Sequence, residues 1–404
     1  MIFPNAKYEI FVCDSSGNII APFNIVDFNL FIELSITRAV GEIGACYIRL
    51  SGGSNSAAVL TFMSRYGMLK KDTILAIYRT IGNQRTLLLD TIWFVRSIEQ
   101  FRESTGSFVV KMTAYDTNYL LASRITSAQF GNSPQTAYKN VTNSAIMYDL
   151  VQNNIGSNSS IRRLPNFSEG KQLSNYGYLI THYSSKGIAF AYANLLTALQ
   201  ELSQMTQFPV DVNETLYPVY FDTIATSTNQ YVFTQFANQR GLDRRFVNAN
   251  NKAVLLSDTS SQLQDIRLII DWQEEKTSVI SVYQGLSGTT PTISASAPVI
   301  DKTRIANSPF AYREVLLQSK TSDLIGEATK YLKEPINYPV YSVYATVQDS
   351  PGFLFGVDWG YGDFVTINAF GSIVDVRING ISITITNKAE QIVTQMRVSE
   401  AYTQ

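Results

Sequence analysis

Apolar and polar residues alternate through most of the first 125 positions. Tyr8-Glu9-Ile10-Phe11-Val12-Cys13 reads as a strand closed by the turn cluster Asp14-Ser15-Ser16-Gly17-Asn18, and Ile19-Ile20 resumes it. Further strands are predicted over 28–36, 45–50, 73–78, 86–94 and 108–114, with turns at Gly82-Asn83 and Ser104-Thr105-Gly106. Short strands at this spacing favour a sandwich or barrel.

The pattern then changes period. Residues 137–153 and 187–205 carry apolar positions at helical spacing, as in Ile188, Tyr192, Leu195, Leu196 and Leu199. Between them, 156–171 is rich in Ser, Asn and Gly and reads as an exposed loop. Strand patterns return over 209–285, with Asp243-Arg244-Arg245 as a turn holding a local ion pair. Residues 286–308 are mostly Ser, Thr, Pro and Ala and read as a mobile linker. One helical stretch is predicted over 312–332, stopped by Pro335, and strands again over 341–398. The expected fold is thus β-rich α+β: two β-barrel domains with an inserted α/β middle region. Its parts are an N-terminal barrel (1–125), the middle domain (126–285), the linker (286–308) and a helix plus C-terminal barrel (309–404).

A chain of 404 residues needs more than one core, and 45% hydrophobic content supplies the material. Charged residues make up only 16% while aromatics reach 12%, which suits β surfaces and surfaces covered by partners. The net charge of −1 lacks the Lys/Arg cluster that gripping a nucleic-acid backbone requires; Arg162-Arg163 and Arg244-Arg245 are isolated pairs. Cys13 and Cys46 fall in apolar strand settings as small hydrophobes, and the sequence leaves their pairing open. The N-terminus has no basic start followed by an apolar run, so neither a secretion signal nor a membrane anchor is expected.

Chemistry is sparse. The single histidine, His182, excludes multi-histidine metal sites, and two cysteines make a structural zinc implausible. No Gly-x-Ser-x-Gly elbow occurs, and Ser184-Ser185-Lys186 reads as a helix cap and a solvated charge. Gly285-Leu286-Ser287-Gly288-Thr289-Thr290 lacks the lysine of a phosphate-binding loop, and Glu274-Glu275 reads as a solvated charge run. Neither an enzyme nor a cofactor or metal is expected.

The strand-rich ends look alike. Lys71-Asp72-Thr73-Ile74 is echoed by Gly362-Asp363-Phe364-Val365, Val95-Arg96 by Val376-Arg377, and residues 109–113 by 392–396. Any two antiparallel barrels would share such spacing. If the repeat is real, three chains would present roughly six similar faces, and Asp72, Arg96, Asp363 and Arg377 become candidate inter-subunit contacts. An Asp at a strand entry can equally bond its own turn.

Several segments together resemble the siphophage tail hub family, the baseplate hub or tail-associated proteins of tailed phages, related to the contractile-tail hub fold. They are Leu34-Ser35-Ile36-Thr37-Arg38, Tyr115-Asp116-Thr117-Asn118-Tyr119-Leu120-Leu121, Gly241-Leu242-Asp243-Arg244-Arg245, Tyr283-Gln284-Gly285, Tyr312-Arg313-Glu314 and Trp359-Gly360-Tyr361-Gly362-Asp363. The resemblance implies a homotrimer with two barrels per subunit that closes the distal tail tube in the virion. It implies adaptation of sixfold to threefold symmetry, with tube or distal ring proteins, the tape-measure protein, and tip fibres or spikes as partners. Phage DNA would pass without specific binding. The chain ends at Gln404, so no fused receptor-binding or wall-degrading appendage is expected. Two other readings are a carbohydrate-binding or carbohydrate-cleaving tail accessory protein and a sixfold peripheral ring protein.

Overall fold

A computed structural model describes residues 6–24, 31–65, 67, 70, 72–126, 136–159, 161–173, 188–190, 192–207, 218–246, 251–260, 262–287, 290–306, 310–319, 322–334, 337–338, 340–350, 352–386 and 389–398. The N-terminal strands are β1 (Ala6–Cys13), β2 (Ile19–Asn24), β3 (Phe31–Ala39), β4 (Ala45–Ser51), β5 (Ile74–Ile81), β6 (Gln84–Leu87), β7 (Trp93–Arg102) and β8 (Phe108–Tyr115), with helix α1 (Ser56–Arg65). The middle holds α2 (Tyr119–Ala122), β9 (Thr136–Tyr138), α3 (Asn143–Asn154), β10 (Phe167–Ser168), β11 (Ile188–Phe190), α4 (Leu195–Gln204), β12 (Val219–Ser227) and β13 (Gln230–Ala237). After it come β14 (Leu255–Ser257), β15 (Leu263–Asp271), β16 (Ser278–Ser287), β17 (Thr290–Ala295), β18 (Val299–Ile300), α5 (Lys302–Ala306), β19 (Glu314–Gln318) and α6 (Leu324–Leu332). The last strands are β20 (Val340–Val347), β21 (Phe364–Ala369), β22 (Ser372–Thr386) and β23 (Glu390–Val398).

Among the described residues the two ends of the chain share one fourteen-stranded sheet. Its main path runs β15-β20-β23-β22-β3-β4-β8-β7-β5-β1-β2, and no pairing among the described residues closes it. The join is the antiparallel pair β3–β22, from Gly380 opposite Ala39 to Thr386 opposite Glu33. One continuous apolar core lines this sheet, from Ile10, Ile36 and Trp93 to Trp359, Ile383 and Met396. Burial of these side chains, at about 1.5–3 kcal/mol each, is the main force holding the two ends together.

Within the sheet the same arrangement occurs twice. β4 pairs with β8, β8 with β7 and β7 with β5; β20 pairs with β23, β23 with β22 and β22 with β21. β3 flanks the first set at β4, and β15 flanks the second at β20. The register repeats too. The amide of Val95 donates to the carbonyl of Thr73 at 2.9 Å, and that of Ile378 to Asp363 at 2.8 Å. Both ladders then bulge, at Arg96 in β7 and at Asn379 in β22. Matched positions share burial: Leu75 with Val365, Val95 with Ile378, Val110 with Ile392 and Ile48 with Ala345 all lie in the core.

This register shifts the equivalences read from the sequence. Asp72 matches Gly362 instead of Asp363, and both take left-handed φ, 61° and 86°. A non-glycine residue in that region is most often Asp or Asn, so an Asp can stand where the other copy has Gly. Arg96 matches Asn379, since each is the bulge residue, and Val110 matches Ile392. The extra residue in each bulge is what breaks an alignment made on residue identity.

Elsewhere the helical period overreached. The helix expected over 187–205 divides into β11 and α4, because the Asn194 side chain caps α4 by accepting from the Thr197 amide at 3.2 Å. Residues 137–153 likewise divide into β9 and α3, which Thr142 caps. Over 312–332 there is a strand, β19, and then α6, whose start is fixed by Asp323 accepting from Gly326. The expected linker contains β17, paired along β16. Its Ser/Thr-rich sequence suits a strand that projects into solvent, as the 75% exposure of Ile293 indicates. Strands β14 and β15, expected in the middle region, pair with β21 and β20. Cys13 and Cys46 are free and buried.

Candidate functional site

Three of the segments that carried the resemblance, 34–38, 115–121 and 359–363, meet at one buried charge junction. Arg38, at the end of β3, is fully buried, as are Asp116 and Asp222. Its Nε donates to Asp116 Oδ2 at 2.9 Å, and its Nη2 lies 3.0 Å from Asp222 Oδ1. The remaining donors go to main-chain carbonyls, Nη2 to Thr223 at 2.9 Å and Nη1 to Leu89. Asn118 completes the joint: it donates to Asp222 Oδ1 at 2.6 Å and accepts from the Thr223 amide at 2.8 Å. Asp222 also accepts from Arg240 Nε at 2.7 Å, and the Arg240 guanidinium lies 4.2 Å from the centre of the Tyr361 ring. Strands β3, β8 and β12 and the approach to β21 are thereby tied at one point.

Burial pushes Asp116 up to about 6, against the pull of Arg38 and with a further push from Asp222. Burial works against charge on Arg38, but Asp222, Tyr361 and Asp116 outweigh it and hold the guanidinium above its ordinary range. Burial also holds the Tyr361 phenol well above its usual value. Desolvated and hydrogen-bonded to one another, these groups form a structural clamp.

Two further joints flank it. Arg79 on β5 donates to Tyr8 Oη at 2.8 Å, to Glu390 Oε1 at 3.0 Å, to Asp349 Oδ2 at 2.7 Å and to the Phe355 carbonyl at 2.6 Å. This is the second buried tie between the two ends of the chain. Asp363 accepts from the Leu242 amide at 2.7 Å, the Gly360 amide at 2.8 Å and Arg244 Nε at 2.8 Å. Gly241 must be glycine there, since a Cβ would sit 2.2 Å from Asp363 Oδ1. A cleft of about 210 Å³ opens beside these joints, lined by Arg79, Asp90, Arg240, Arg244, Tyr361 and Asp363 among others.

Of the residues singled out from the sequence, Asp72 and Arg96 form an ion pair with each other on the surface. Asp363 lies in the joint just described. Arg377 donates to Tyr220 Oη at 2.5 Å and to the Asn238 carbonyl at 3.1 Å, and stacks on Tyr220. His182 and Ser184-Ser185-Lys186 lie outside the described residues. Asp243 and Arg245 do pair locally, at 2.7 Å. Glu275 is a correction: it is 9% exposed, facing Arg304 at 3.8 Å and Arg313 at 3.6 Å, so the run is half buried by its cations. Asp222 and Arg79 went unnoticed because an isolated charge in an apolar strand (Val219–Ser227, Ile74–Ile81) was the available signal. Among the described residues no group of acidic, His or Cys side chains is placed to hold a metal, and no helix is long and apolar enough to cross a membrane.

No curated protein matches the chain by sequence. Solved structures do resemble it. The 43 kDa tail protein of prophage MuSo2 from Shewanella oneidensis has a TM-score of 0.55 at 13% identity, over 98% of this chain and 99% of that one. The tail protein from Neisseria meningitidis MC58 has a TM-score of 0.53 at 9% identity, over 98% and 97%. The half-lidded PdpA-VgrG complex of Francisella contains a chain with a TM-score of 0.50 at 11% identity, over 98% of this chain and 58% of that one. At these identities the likeness is one of fold. The family model of the Siphovirus ReqiPepy6 Gp37-like proteins matches residues 29–394, nearly the whole length, and the chain belongs to that family.

Proposed function

We propose that the protein is a structural tail hub of a siphophage, a trimeric ring that closes the distal end of the tail tube in the virion. The observation that carries this reading is the duplicated strand order and register at the two ends of the chain. Three such chains offer roughly six similar modules, and a sixfold tube can seat on them while the tip beneath stays threefold. The fold shared with two phage tail proteins supports a place in the tail. Each barrel-like module would be completed by neighbouring chains, and the buried joints keep both at a fixed angle. A net charge of −1 leaves exiting DNA little to adhere to. Tube or distal ring proteins, the tape-measure protein and tip fibres or spikes are the partners of such a ring. Asp72 and Arg96 pair with each other at the surface, where a neighbouring subunit could reach the pair.

Native mass measurement tests the reading. A trimer with more than about 2,000 Å² buried per interface is expected. A hexamer would favour a peripheral ring, and a monomer that binds or cleaves host wall glycans would favour an accessory protein.

A further inference from the structure

We infer that the outer edge of β7 in one copy pairs with the outer edge of β15 in the next, in the register that β22 and β3 use inside each chain. The inference deepens the ring reading and takes its stoichiometry from it, while the edge pairing itself needs only a second copy.

The internal repeat supplies the template. After their bulges, β7 (from Ser97) and β22 (from Gly380) run as equivalent strands, each paired on one side with the strand that follows it, β8 or β23. On the other side β22 holds β3 over Gly380–Thr386. The matching side of β7 meets β5 at Phe94 and Trp93, and among the described residues no strand pairs beyond that point. The complementary edge is equally open. β3 and β15 are equivalent, each paired on one side with β4 or β20; β3 then takes β22, whereas β15 ends the sheet. One chain therefore carries both halves of an interface it has already built once.

Exposure agrees. Through Cys46 and its match Val343, Ile36 on β3 corresponds to Leu268 on β15, and Arg38 to Ile270. The two β3 residues are 0% exposed, while Leu268 and Ile270 are each 42% exposed, and Trp272 just beyond is 48% exposed. An open edge strand with that apolar content invites strand addition. Because the two edges differ, the contact is head-to-tail and closes only as a ring or extends as a filament.

The register follows from the template. Ile98 falls opposite Ile270, Glu99 opposite Ile269, Gln100 opposite Leu268 and Phe101 opposite Arg267, all antiparallel. Inside the chain the Val40 amide donates to the carbonyl of the bulge residue Asn379 at 3.0 Å. The equivalent bond joins the Trp272 amide to the carbonyl of Arg96.

Disulfide trapping tests the register. Thr37 Oγ1 and Ser382 Oγ, the template for Ile269 and Glu99, lie 3.3 Å apart on the outer face. The double variant Glu99→Cys/Ile269→Cys should give disulfide-linked oligomers on mild oxidation, because directly opposed strand residues have the separation a disulfide needs. Glu99→Cys/Gln264→Cys, out of register, should not; native Cys13 and Cys46 are buried and add no background. Ile270→Lys, at an exposed edge position, should leave the circular dichroism unchanged and convert the assembly to monomers. A wild-type trimer that fails to cross-link and survives Ile270→Lys overturns the edge pairing and leaves the ring reading standing. A wild-type monomer at every concentration, without cross-links, overturns both.

Discussion

Arg38→Met removes the cation at the centre of the buried junction and keeps most of the side-chain volume. The cost can be worked from what each carboxylate retains. Asp222 keeps Arg240 at 2.7 Å and Asn118 at 2.6 Å, so most of its compensation survives. Asp116 keeps backbone amides, including that of Asn118 at 3.1 Å, and loses its one cation. Stranding one buried carboxylate costs about 3–5 kcal/mol at pH 7.5. Asp116 is already pushed up to about 6 by burial, and losing Arg38 removes the main influence that lowers it. At pH 5 the carboxyl is then protonated, and the loss shrinks to about 1–3 kcal/mol, the cost of hydrogen bonds left unmade. Urea unfolding followed by circular dichroism and by fluorescence of the buried Trp93 and Trp359 measures both values. A loss under about 1 kcal/mol at pH 7.5, or an equal loss at the two pH values, refutes the clamp.

Asp116→Asn isolates the titration. Asp116 in the fold binds its proton up to about pH 6, above the ordinary 3.8, so its contribution is full below that ordinary value and is lost as pH rises through 6. Wild-type stability minus that of the variant should fall by up to about 3 kcal/mol between pH 4 and 7, and a level or rising difference would contradict this. Gly362→Ala and Gly106→Ala start from similar φ, 86° and 83°, but an added Cβ meets Arg240 Cβ at 2.8 Å in the first and nothing within 4 Å in the second. Thermal unfolding should show a loss of about 2–4 kcal/mol for the first and about 1–2 kcal/mol for the second; similar losses would mean that the approach of 240–241 to β21 is not tight.

Much of the architecture was legible where alternation is clean, as in Ala45–Ser51 and Phe108–Tyr115, because a sheet with one buried face writes its period into the chain. Helix starts were misplaced where a single cap decides them: Asn194 and Asp323 override apolar spacing that runs on before them. The duplication was visible in outline, but its register was hidden by the bulges at Arg96 and Asn379, each of which adds a residue without a partner. The junction was half legible. Arg38, Asp116, Asn118 and Tyr361 all lay in the segments that carried the family resemblance, but no local pattern says that residues 78 and 185 positions apart meet at one guanidinium. Asp222 gave only the faint signal of one acid in an otherwise apolar strand.

Strand β22 runs for fifteen residues and serves both halves of the duplicated sheet, first beside β21 and then beside β3. Mechanically it is a shared spar. Any swivel of one half against the other must shear a ladder of seven residue pairs, all loaded at once. A labelled pair of sites spanning the spar should keep its separation as long as the fold persists.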